Sequence, residues 1–165
     1  GLLNTSPEEE CNIKAKRTGW NSHLKYPILY DLVDEIEKYI QIFIEKEGYD
    51  VPKLGVMECW INWYKKNQYA LPHKHGEFLS VVLFVDVEDT DAKLFFHANH
   101  NLVLIKKTDV ETNFSNVKSI NGKNGSVIFF DGMISHSVSQ NNSDKNRISV
   151  AINYLPHYSN DREQY

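Results

Sequence analysis

Cysteine is scarce in this chain: Cys11 and Cys59 are the only two among 165 residues. Two cysteines cannot build a disulfide framework, and Cys59 sits inside the apolar stretch VMECWINWY, so a reduced, cytoplasmic protein is expected. No apolar run approaches the roughly 18 residues that a membrane helix needs. The N-terminal GLLNTSPEEEC lacks a basic segment followed by an apolar one, so no signal peptide is expected. An excess of basic residues is missing as well. The formal net charge of -4 argues against nucleic acid or an anionic membrane as a partner. No repeat, low-complexity tract or linker divides the chain, and a single domain over residues 1–165 is expected.

What is present has two periods. In YPILYDLVDEIEKYIQIFIEKEG, the apolar residues Ile28, Leu29, Leu32, Val33, Ile36, Ile40, Phe43 and Ile44 recur at three- and four-residue steps. That spacing predicts an amphipathic helix packed on another element, with Pro27 in its first turn and Gly48 as its stop. After Gly48 the pattern shortens. VMECWINWY, FLSVVLFVDV, AKLFFHA, NLVLI, GSVIFFD and RISVAINYL are rich in β-branched and aromatic residues, and EDTD, NGKNG and QNNSDKN punctuate them. Such a series predicts an antiparallel sandwich or barrel. The expected organisation is a helical part over about 1–48 and a mainly β core over about 54–156.

Seven histidines are distributed along the chain. His73 and His75 form a His-x-His pair, which chance alone supplies roughly 0.3 times at this frequency. On one strand, alternate residues share a face, so both imidazoles could reach one ion, and imidazole suits Fe, Zn, Cu or Ni. The alternative is two partly exposed histidines on a strand. A third ligand is best supplied by His136, in NGSVIFFDGMISHSV, where a strand runs into a turn and the chain resumes. His97 and His100 are rivals that could imitate a zinc site, but no cysteine accompanies them. His23 and His157 are expected at the surface.

In NRISVAINYLP, alternation places Arg147, Ser149, Ala151 and Asn153 on one face. An arginine buried there without a partner would be costly. A carboxylate ligand held by two guanidinium N–H groups, with the serine hydroxyl adding a third bond, would satisfy it. An edge strand with Arg147 in solvent, or paired to an acidic side chain, is the other reading. Upstream, in CWINWY, Trp60, Asn62 and Tyr64 share one strand face.

In order, Asn62-x-Tyr64, His73-x-His75, His136 and Arg147-x-Ser149 resemble the signature of the Fe(II)- and 2-oxoglutarate-dependent oxygenases. The resemblance is nearest to the small bacterial and phage group of these enzymes. It is carried by CWINWY, HKHGEFLSVVLFV, AKLFF, GSVIFFDGMISH and RISVAINY, and covers about Trp20 to Tyr154. It implies a double-stranded β-helix, or jelly roll. It also implies Fe(II) held by His73, His75 and His136, and 2-oxoglutarate held by Arg147 and Ser149 with Asn62 or Tyr64 adding hydrogen bonds. Ascorbate would serve as reductant in assays. The implied reaction is hydroxylation of a small molecule or of an exposed protein residue such as proline.

Three features set the chain apart from the wider superfamily, one of them FFD in place of FP ahead of the turn before His136. His75 stands where a carboxylate is usual, and Glu77, two positions on, is the alternative ligand. VVLF replaces a more hydroxyl-rich strand beside the cofactor. A cupin-like metal protein or isomerase that does not use 2-oxoglutarate is the competing reading, and so is a binding module whose iron site has decayed. Arg147-x-Ser149 speaks against the cupin, which has no need for that pair. Residues around 87–93 and 110–124 are expected to shape the substrate entrance.

Overall fold

The helical repeat between Pro27 and Gly48 forms α1, Pro27–Glu47, as its punctuation predicts. Gly48 takes φ 73°, the left-handed conformation that glycine adopts without a Cβ penalty, and its N–H donates to Ile44 O and Glu45 O. The structure, a computed structural model, describes residues 13–48, 53–76, 79–87, 90, 92–97 and 117–156. Glu77, His100, His157, the NLVLI stretch and residues 110–116 of the expected entrance lie outside the described residues.

Along α1 the residues Leu29, Val33, Ile36, Ile40 and Ile44 are each at most 6% exposed. Burial of such a side chain stabilises by about 1.5–3 kcal/mol, so this stripe, more than helix propensity, holds the helix in place. Ile28, expected in the stripe, is 70% exposed instead. It sits one residue, about 100° of helix rotation, from the buried Leu29 and so falls off the stripe that faces the sheet.

The strands are β1 (Ile13–Lys14), β2 (Lys16–Arg17), β3 (Leu54–Tyr64), β4 (Tyr69–His73), β5 (Leu79–Asp86), β6 (Leu94–His97), β7 (Val117–Ile120), β8 (Val127–Asp131), β9 (Ser135–Val138) and β10 (Arg147–Pro156). Among the described residues they form two antiparallel five-stranded sheets, ordered β1-β4-β9-β6-β7 and β2-β3-β10-β5-β8. The fold is mainly β with one long helix, a jelly roll. The N-terminal part is less purely helical than its composition suggests, because residues 13–17 add a short edge strand to each sheet.

Two apolar clusters flank the second sheet. Leu29, Val33, Ile36, Ile40 and Ile44 of α1 meet Cys59, Val81, Val150, Ile152 and Tyr154 on its outer side. On the inner side, Tyr64, Val82, Phe84 and Phe130 pack against Ile13, Ala70, Leu94 and Val138 of the first sheet. Strand β10 lies between β3 and β5 and is covered on both faces, which is why Ser149 to Tyr154 are all buried. Cys59 is a free thiol, and burial pushes its pKa up to about 12, so it packs as an apolar side chain. Among the described residues no helix is long and apolar enough to cross a membrane.

Candidate active site

Register decides which side chains reach the space between the sheets. On β10, Arg147, Ser149, Ala151 and Asn153 pair with Tyr64, Asn62, Trp60 and Glu58 of β3, so these two rows share the inner face. The next pair is Tyr154 with Val56, which leaves Met57 as an extra residue on β3. This bulge sends Val56 to the helix side while Glu58 stays inside.

A second irregularity places His73. Ala70 pairs with Val138 and His73 with His136, so three steps on β4 match two on β9. Strict alternation from the buried Ala70 would have turned His73 outward. The extra residue falls in Leu71–Pro72, and proline, lacking an N–H, suits such a break in the ladder. The sequence predicts His73 and His75 on one strand, but β4 ends at His73. His75 is held instead by its backbone N–H, which donates to Gly132 O at 3.1 Å, in the turn that leads into β9. His136 lies on β9 between two neighbours, not at an edge, and is 4% exposed.

The three imidazoles converge. Each of His73, His75 and His136 offers a ligand atom within 4.8 Å of the others. The Nε2 atoms of His75 and His136 are 3.0 Å apart. Two nitrogens bound at right angles to one ion at about 2.1 Å would be separated by ~3.0 Å, so the spacing fits adjacent ligands on one metal. His73 Nδ1 donates to Leu71 O at 2.7 Å, and His136 Nδ1 donates to Ile134 O at 3.0 Å. Both backbone bonds leave an Nε2 lone pair facing the cluster, the tautomer that a metal requires. Phe130 and Phe96 wall His136 at ring-centroid distances of 5.0 and 6.5 Å, and the Trp60 ring lies 5.6 Å from that of His75.

Arg147 is buried at the other end of the same β10 face, with 1% exposure. Its Nη1 donates to Ser149 Oγ at 3.2 Å, and its Nε has no hydrogen-bond partner among the described residues. No acidic side chain pairs with it among the described residues. The rings of Tyr64 and Phe84 lie 5.3 and 5.5 Å from its guanidinium carbon. This disposes of the edge-strand reading, and among the described residues it leaves a desolvated cation with no acidic partner. Asn62 is 6% exposed and accepts from Trp60 Nε1 at 3.0 Å, which fixes its amide.

The other two described histidines, His97 and His23, are not members of the cluster. His97 lies on β6 and bonds Ser137 Oγ at 2.8 Å, outside the cluster. His23, expected at the surface, is buried at 9% in the short 3-10 turn Ser22–Leu24, and burial lowers its pKa. Its burial has no local signal, because a polar stretch hides how the turn docks on β3.

A family model described as "Putative 2OG-Fe(II) oxygenase" matches residues 58–153, more than half of the chain and the whole of this site. The chain belongs to that family. Solved 2OG-Fe(II) oxygenase folds agree with the architecture. A viral collagen prolyl hydroxylase from Paramecium Bursaria Chlorella virus-1, in complex with 2OG, aligns at TM-score 0.61 and 15% identity over 93% of this chain and 82% of its own. HygX from Streptomyces hygroscopicus, with nickel, 2-oxoglutarate and hygromycin B bound, aligns at 0.61 and 11% over 94% and 76%. A 2OG-Fe(II) oxygenase-family oxidoreductase from Burkholderia pseudomallei aligns at 0.55 and 17% over 74% of this chain, which spans 54% of that protein's length. No curated protein sequence matches the chain.

Electrostatics prepares the cluster of this oxygenase-family chain for a cation. Burial, then His136 and His73, pull the pKa of His75 down to about 3. Burial likewise pulls His136 down to about 4, against the Ile134 carbonyl, and lowers His73. All three rings are therefore neutral near pH 7 and need lose no proton to bind metal. Between about pH 4 and 6.5 the unfolded chain binds more protons than the folded one, so stability falls as pH falls. For the metal-free protein we expect a loss of about 2 kcal/mol between pH 7.5 and pH 5, discounted for partial exposure of the rings. Urea midpoints at the two pH values check this, and His75→Asn should flatten the dependence.

Proposed function

We infer that the chain is an Fe(II)- and 2-oxoglutarate-dependent dioxygenase that hydroxylates its substrate, folded as one domain. The observation that carries the reading is the shared inner face: a triad of neutral imidazoles near one end of β10, and a buried, under-partnered Arg147 at the other. His73, His75 and His136 hold the metal. Arg147 and Ser149 bind the distal carboxylate of 2-oxoglutarate, which satisfies the guanidinium better than anything else described around it. Asn62 and Tyr64 line the space between and orient the cosubstrate. Val82, Phe84, Phe96 and Phe130 exclude water from it. Fe(II) with 2-oxoglutarate and dioxygen supplies the oxidation, releasing succinate and carbon dioxide as one oxygen atom enters a substrate C–H bond.

Two kinds of substrate suit the reading, a small molecule or an exposed protein residue such as a prolyl ring. The fold supports both, since its solved counterparts include a collagen prolyl hydroxylase and a protein with hygromycin B bound. The free, buried Cys59 suits a reducing compartment, the cytoplasm. Succinate release from 2-oxoglutarate, assayed with Fe(II), ascorbate and oxygen, is the expected result. Calorimetry that detects no 2-oxoglutarate binding in the presence of an inert divalent metal would sink the reading.

A further inference from the structure

Behind His75 lies a chain of hydrogen bonds that runs in one direction. Asn153 is 1% exposed, on the inner face of β10. Its Nδ2 donates to Glu58 Oε2 at 3.0 Å and also lies 3.0 Å from His75 Nδ1. Ser80 Oγ donates to Asn153 Oδ1 at 2.9 Å. A carboxylate only accepts, so Glu58 requires the amide nitrogen, and not the oxygen, on its side. That nitrogen then offers its second hydrogen to His75 Nδ1, which must accept. A neutral imidazole that accepts at Nδ1 carries its proton on Nε2. The Nε2–H of His75 points at His136 Nε2, 3.0 Å away, whose lone pair is free because His136 Nδ1 donates to Ile134 O. Every link from Glu58 to Ile134 joins one donor to one acceptor.

We propose that Glu58, acting through Asn153, holds His75 in the tautomer that cannot bind metal through Nε2, so that loading the triad requires the Asn153 amide to turn over. This rests on the reading of His75 as a ligand. In the turned state Asn153 Oδ1 accepts from His75 Nδ1–H, and Nδ2 donates to Ser80 Oγ. Glu58 is then left facing an oxygen and must move away; it is only half-buried. Glu58 and Asn153 are thus positioning residues, and the carboxylate usual at position 75 is replaced by a histidine whose donor state a more distant carboxylate controls.

The consequence runs against ordinary electrostatics. Loss of a nearby negative charge should weaken cation binding, yet Glu58→Gln is expected to tighten it. The new amide can donate to Asn153 Oδ1 and so favours the turned state. Titration of the metal-free full chain with Ni(II) alone should give about tenfold tighter binding for Glu58→Gln, at the lower end of what outer-shell partners contribute. Unchanged or weaker binding in that variant, with binding lost in His136→Ala, overturns the relay and leaves the triad standing. Binding that survives His136→Ala overturns both. Long-range 15N–1H correlations report the tautomer directly: His75 should carry its proton on Nε2 in the metal-free wild type and on Nδ1 in Glu58→Gln. A wild-type His75 protonated on Nδ1 overturns the relay.

Discussion

Arg147→Met should abolish 2-oxoglutarate binding and at the same time make the free protein more stable. The two effects share one cause. The guanidinium is 1% exposed, donates to Ser149 at 3.2 Å, and keeps an Nε without a partner among the described residues. Burial drives its pKa down, opposed only by Tyr64, which indicates that the charge is held against its hydration energy. The flanking Tyr64 and Phe84 rings return part of that energy, of the order of 1–2 kcal/mol. A methionine of similar length would remove the desolvation cost and keep the packing. Replacing buried charge by apolar groups of similar volume stabilises by about 1–4 kcal/mol, and the lower half of that range is expected here because the rings already offset part of the cost. Binding pays the other side: loss of a buried charge pair costs about 2–5 kcal/mol, or some 30- to 1,000-fold and beyond in affinity. Arg147→Lys keeps the charge but loses the planar fork, so it should bind 2-oxoglutarate weakly and gain no stability. Calorimetry with an inert divalent metal and urea unfolding of the same samples test both halves. A destabilised Arg147→Met with unchanged 2-oxoglutarate affinity would make Arg147 a structural residue.

Regular strand alternation reveals part of the site and conceals the rest. Alternation on β10 was legible because that strand is regular from Ser149 to Asn153 and covered on both faces, so Arg147 and Ser149 stood out as polar intruders. The helix was legible because Pro27 and Gly48 mark its ends. Alternation failed at three places where an extra residue interrupts a ladder: at Met57, at Val85, and at Leu71–Pro72. Only the last bears a local sign, a proline inside a strand. It matters most, since it turns His73 into the cluster and ends the strand before His75. The sharing of a site by His75 and His136, 61 positions apart, depends on the Gly132 carbonyl that binds the backbone after β4. No periodicity encodes that contact. Alternation puts Asn153 on the inner face but implies no role for it, because its partners Glu58 and His75 come from segments whose juxtaposition only the register reveals. Glu77, the rival for His75, lies outside the described residues, whereas His75 itself sits within the cluster.

His136→Ala should remove metal binding altogether at micromolar Ni(II) or Fe(II). Of the three imidazoles, this one is the most constrained. It is 4% exposed, its Nδ1 is tied to Ile134 O, and its ring is held by Phe130 and Phe96. It also contacts both other members, with ring centroids 4.4 Å from His73 and 4.8 Å from His75. His73 and His75 without it are two ligands near the ends of a strand and a loop, and their lone pairs have no rigid third point to meet. Loss of an outer partner of a metal ligand already costs 10- to 100-fold in affinity, so loss of the ligand itself must exceed that. The alanine also leaves a hole beside two phenylalanines, so a structural loss of about 2 kcal/mol is expected alongside. His136→Gln fills most of that hole and retains a polar end, and it should recover stability without recovering metal. His97→Ala, on β6 with its side chain bonded to Ser137 Oγ, should change neither. A His136→Gln protein that still binds Ni(II) at wild-type affinity would move the third ligand elsewhere, and the 3.0 Å contact between His75 and His136 would then be a hydrogen bond and nothing more.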